Sequence, residues 1–107
     1  TTIREKSGLA ISSRNIYLNE TQKKDATIIY QALSKARNMV KEGIINVDRI
    51  KAEVNHILSS VRRIRIIYVD IVEKDSMEPL REIVPRRSII IVAVWCDEVR
   101  LIDNIVV

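Results

Sequence analysis

The segment Gly8-Leu9-Ala10-Ile11-Ser12-Ser13-Arg14-Asn15 gathers two hydroxyls, a guanidinium and several backbone N–H groups directly after a glycine. That set suits phosphate oxygens. Hydroxyls and amides donate hydrogen bonds to non-bridging oxygens, and Arg14 offers a planar, permanently charged fork whose grip strengthens as charge develops on a leaving pyrophosphate. The same residue types also fit a plainer role, in which Ser12 or Ser13 caps a short turn from Arg14 to Leu18. Residue types alone leave both open.

Other self-contained chemistry is hard to assemble. The one histidine, His56, precedes the apolar pair Ile57-Leu58 on an expected helix, with no Cys, Asp or Glu at a spacing that completes a metal site. A helix-surface histidine is expected, and no metal ligand. There is no nucleophile elbow, no glycine-rich phosphate loop and no paired-histidine motif. The single cysteine, Cys96, excludes an internal disulfide and a cysteine metal cluster, and points to a reducing, cytoplasmic setting.

The chain has 107 residues and a formal net charge of +4, the size of one domain. Ile and Val are abundant while Phe is absent, so the core must be aliphatic and largely β-branched. Only Tyr17, Tyr30, Tyr68 and Trp95 could stack on a base, which argues against a single-strand nucleic-acid platform. Tyr68 and Trp95 are expected as amphipathic core residues. No apolar run is long enough to span a bilayer, and the start lacks the apolar stretch of a secretory signal, so a soluble protein is expected. The opening Thr1, without an initiator Met, suggests a piece of a longer chain. Two basic clusters, Arg62, Arg63 and Arg65, then Arg86-Arg87, flank expected strands. Solvated strand ends are the expected reading, and the rival is a small basic nucleic-acid module. A third reading is an interaction domain with an exposed apolar face that self-associates.

Residues 1 to 18 show no sustained period and read as a loop or linker. Asn19 and Gln22 resemble a capping box before a helix with apolar Ala26, Ile29, Tyr30, Leu33, Ala36 and Val40, which Gly43 stops. Asn46 or Asp48 caps a second helix with the stripe Ile50, Val54, Ile57, Leu58 and Val61. Ile66 to Val72 reads as a strand, Lys74 to Pro79 as a turn, and Ser88 to Cys96 as a strand buried on both faces or at the centre of a small sheet. Asp97-Glu98 stands at a two-residue hairpin turn before Val99 to Val106. The expected fold is a two-layer α+β domain, two main helices packed on a three-stranded, mostly antiparallel sheet.

The string from Arg4 through Gly8-Leu9-Ala10-Ile11-Ser12-Ser13-Arg14-Asn15 to Leu18 resembles the segment joining the two domains in the pantothenate synthetase (pantoate–β-alanine ligase) family. Ile67 to Val72, Met77-Glu78-Pro79-Leu80 and Arg100-Leu101-Ile102-Asp103-Asn104 continue the resemblance over essentially the whole chain. The family pattern usually has Met where Ile11 stands, and often Gly-x where Asp97-Glu98 stands.

The resemblance implies an AMP-forming ligase that joins pantoate to β-alanine through a pantoyl-adenylate. The family is similar to the nucleotidyltransferases that include class I aminoacyl-tRNA synthetases, with Ile11 to Asn15 in the place of their Lys-Met-Ser-Lys-Ser loop. By position, Ile11, Ser12, Ser13 and Arg14 would bind ATP, with Arg14 catalytic. Mg²⁺ would be held mainly by ATP and by an N-terminal Rossmann-like domain that carries His-x-Gly-His and the pantoate and β-alanine pockets. Residues 1–18 would then be the interdomain phosphate loop and 19–107 a C-terminal lid, inactive alone, within a homodimeric cytoplasmic enzyme. Arg100, Asp103 and Asn104 match the family ending, and a role in tying down the hairpin is expected of them.

Overall fold

The computed structural model describes residues 18–107. Helices α1 (Glu20–Ala26), α2 (Ile28–Lys41) and α3 (Val47–Ser59) precede strands β1 (Ile64–Glu73), β2 (Ser88–Cys96) and β3 (Val99–Val106). The sheet order is β1-β2-β3, antiparallel throughout, and α2 and α3 pack together, with α3 against β1 and α2 against β3. The expected two-layer α+β arrangement is therefore present.

Local chemistry accounts for the helix ends. Asn19 and Gln22 cap each other's backbone N–H groups at 2.8 and 2.9 Å, and Asn46, rather than Asp48, caps α3 by accepting from the Arg49 N–H at 3.1 Å. Gly43 at φ +93° ends α2, with the Gly43 N–H on the Val40 carbonyl and the Ile44 N–H on the Met39 carbonyl. This paired arrangement needs a left-handed residue.

The first helical stretch is not continuous, however. It breaks at Thr27, whose hydroxyl donates to the Lys24 carbonyl at 2.6 Å, while its own N–H reaches the same oxygen at 3.3 Å. With the carbonyl taken by its neighbour's hydroxyl, the regular ladder is interrupted and α1 becomes a separate short helix.

β2 is the central strand. Ile90, Val92, Val94 and Cys96 point into the core with Leu33, Ile50, Val54 and Leu58 from the helices, all fully buried. The other face of the sheet is mixed, with apolar residues beside Arg65, Asp70, Arg100 and Asn104. Val72 and Ala93 are buried yet stand outside the main core, among Tyr68, Ile91, Trp95 and Ile102. Trp95 is 38% exposed. The expectation of Tyr68 and Trp95 as core residues is thus corrected: the register places both on the outer face, because Tyr68 pairs with Ala93 after a bulge at Ile67 and Trp95 lies between Arg65 and Arg100.

At the far end of the β1–β2 ladder, Glu73 accepts from the backbone N–H groups of Ser76 and Asp75 at 2.7 and 2.8 Å, and from Arg87 at 2.6 Å. The Ser76 N–H foremost, with Asp75 and Arg87, lowers its pKa from 4.5 to about 2. A depressed folded pKa stabilises the native state above the unfolded pKa, and that share is lost as pH falls through the folded value. Chemical denaturation midpoints should therefore decline between about pH 4.5 and about pH 2. Glu73→Gln should flatten that decline, and an unchanged profile would remove Glu73 as its source.

Candidate functional site

Ile11, Ser12, Ser13 and Arg14 lie outside the described residues. What the structure describes is the base from which that segment leaves. Leu18 is buried at 6% exposure and belongs to the core, and the Asn19 capping box follows at once. From α1, Gln22 donates through Nε2 to Asp97 Oδ2 at 2.9 Å. Asp25 accepts from Arg63 Nε at 2.6 Å, and Arg63 Nη1 donates to the same Asp97 oxygen at 2.8 Å. One guanidinium thus joins α1 to the β2–β3 hairpin.

Asp97 opens the hairpin turn at φ +53°, the left-handed region that favours glycine, and its N–H donates to the Arg63 carbonyl at 3.0 Å. A glycine would relieve the backbone but could not hold Gln22 and Arg63. The Gln22 amide, then Arg63, keeps the Asp97 carboxyl below its ordinary pKa, while Asp25 first and Asp97 next raise that of Arg63. Beside it, burial pushes the Cys96 thiol up, and Sγ sits 3.9 Å from the Gln22 carbonyl oxygen. That thiol is kept protonated.

This clamp escaped the reading of Arg63 as a solvated strand end. Its carboxylates stand 38 and 34 residues away, so no local spacing reveals them. Arg87, by contrast, is exposed as expected while engaging Glu73 and Asp75, both at 2.6 Å. Two of the five arginines offered for a nucleic-acid face thus already hold carboxylates. His56 is exposed on α3, and among the described residues no three His, Cys, Asp or Glu side chains come together as a metal site. On β3, Asp103 is buried at 4% exposure on the core side, where its carboxylate accepts from the Asn104 N–H at 2.7 Å, and Asn104 faces out. Arg100 pairs across the ladder with Trp95. A cleft lined by Ile45, Asn46, Asp48, Arg81 and Glu82 is open to solvent and mixed in charge. It brings together no nucleophile and base.

The pantoate-beta-alanine ligase family model matches residues 1–106. The chain belongs to that family. It is 42% identical over 105 residues to pantothenate synthetase of Thermosipho africanus, covering 98% of this chain and 37% of that protein. It is 44% identical over 103 residues to pantothenate synthetase of Thermotoga neapolitana, covering 95% of this chain and 36% of that one. The crystal structure of pantothenate synthetase from Thermus thermophilus superimposes with a TM-score of 0.89 at 36% identity, over 97% of this chain and 37% of that one. The chain thus spans a little over a third of the length of the relatives it matches. Among the described residues no helix is long and apolar enough to cross a membrane.

Proposed function

We propose that this chain is the C-terminal, lid-like part of an AMP-forming pantoate–β-alanine ligase, with residues 1–18 as its ATP-phosphate segment and 19–107 as the closing domain. The observation that carries the reading is a family match over residues 1–106 in a chain that spans 37% of its relatives' length. A Rossmann-like N-terminal domain supplies the pantoate and β-alanine pockets, and the complete enzyme works as a cytoplasmic homodimer.

In the first step a pantoate carboxylate oxygen bonds to the α-phosphorus of ATP as the bond to the β-phosphate oxygen breaks, releasing pyrophosphate. The Ser12 and Ser13 hydroxyls and the Ile11 backbone donate to the nucleotide, and Arg14 meets the charge that gathers on the departing pyrophosphate. Its permanent charge needs no proton transfer to do so. In the second step the β-alanine amine attacks the acyl carbon, AMP leaves, and the amine loses a proton. Mg²⁺ neutralises phosphate charge when bound. In this reading it is held mainly by ATP and by the N-terminal domain.

A domain that closes a site assembled elsewhere is inert alone. Incubated with ATP, Mg²⁺, pantoate and β-alanine, the isolated chain should form no AMP, whereas the complete ligase does. Robust turnover by the isolated chain would overturn the reading.

A further inference from the structure

Helix α1 has seven residues, too few to hold its own shape in water, and only Ala26 among them is buried. It must be held from outside. With Leu18 just ahead of it, the stretch has two apolar anchors, whereas α2 buries Ile29, Ala32, Leu33, Ala36 and Met39 and α3 buries Val47, Ile50, Val54 and Leu58. The ladder is interrupted at Thr27, where α2 begins with no side-chain cap. What remains is polar. Asp25 accepts from Arg63 Nε, Asp97 accepts from Arg63 Nη1, and Gln22 adds a bond to the same Asp97 oxygen. The side chains of Arg63, Asp25 and Asp97 are 30%, 33% and 40% exposed, so water competes for these bonds. Against α1, at the end of β2, lies the fully buried Cys96, its Sγ 3.9 Å from the Gln22 carbonyl oxygen.

We propose that residues 18–26 form a strap that opens about Thr27 as one unit, ahead of the rest of the domain, and that Arg63 is the latch that holds it shut over Cys96. A segment with few apolar anchors and solvent-accessible tethers opens at a lower free energy than the core beneath it. The fork geometry concentrates the hold in one residue. Nε serves the strap and Nη1 the β2–β3 hairpin, so loss of the guanidinium removes both bonds at once. It also leaves the Asp25 and Asp97 carboxylates facing one another across the joint without their shared cation.

Alkylation by iodoacetamide tests the strap, because Cys96 is the chain's single cysteine. Where reclosing outruns labelling, the rate reports the population of the open form. Wild type should label at a rate nearly independent of urea well below the unfolding midpoint, since opening the strap exposes little surface. Arg63→Ala should raise that rate by about tenfold or more, as two charge-assisted bonds are lost. Arg63→Lys keeps the cation without the fork and should fall between. Arg87→Ala removes a comparable two-carboxylate clamp at the opposite end of the β1–β2 ladder, and should label as wild type does. A wild-type rate that climbs with urea along the full slope of global unfolding would overturn the strap. Equal rates for Arg63→Ala and Arg87→Ala would overturn the latch.

Discussion

Leu33→Ala should destabilise the domain by about 3 to 5 kcal/mol, the upper part of the range for a buried leucine. Leu33 is fully buried on α2, within the core that α3 and the sheet complete. Truncation removes transfer free energy and leaves a cavity, and the second cost depends on whether neighbours can fill the space. Here they are poorly able to do so. The surrounding core is largely β-branched, with Ile29, Ile50, Val54, Ile71, Ile90, Val92 and Val94 in it, and no Phe anywhere in the chain. Such side chains have few χ1 states and cannot swing into a void. Against a total of about 5 to 15 kcal/mol for a domain of ordinary stability, the loss is a large fraction. Urea denaturation reads it directly. Ile102→Ala, on the outer sheet face at 48% exposure, should stay within about 0.5 kcal/mol of wild type. A cost below about 1 kcal/mol at Leu33 would show a core able to collapse around it.

Much of the fold was legible because its signals are local. The Asn19–Gln22 box, the Asn46 cap and the Gly43 stop depend on groups within three to five residues of one another, and all three occur. Ser88 to Cys96 and Val99 to Val106 stand where the apolar run and the hairpin turn placed them, and β1 begins at Ile64, two residues before the expected strand. Local signals failed where the deciding partner was a matter of rotamer or of distance along the chain. The break at Thr27 follows from its hydroxyl choosing the Lys24 carbonyl, a choice that helical periodicity does not encode. Trp95 sits in an unbroken apolar run, which carries no information about faces until pairing with Arg65 and Arg100 fixes the register. Arg63 resembled a solvated cation because both of its carboxylates come from distant elements. The candidate phosphate segment rests on residue types and a resemblance alone, because Ile11 to Arg14 lie outside the described residues.

Arg14→Ala in the complete ligase should slow adenylate formation by about tenfold to a thousandfold, the loss expected when one charge contact made mainly in the transition state is removed. Ground-state ATP has its negative charge spread over three phosphates, whereas cleavage concentrates new charge on the departing pyrophosphate. A guanidinium placed there contributes most at that moment, so the chemical step should suffer more than ATP affinity. Arg14 precedes the buried Leu18, and global stability should change little. The second step, attack of β-alanine on preformed pantoyl-adenylate, should be nearly unaffected, because pyrophosphate has already left.

The most direct measurement is rapid-quench pyrophosphate release in a single turnover, with complete wild-type and Arg14→Ala ligases saturated with ATP and pantoate. A first-order rate lower by about tenfold or more in the variant is expected, with both enzymes equally folded. Equal rates would contradict a phosphate-binding role for this segment.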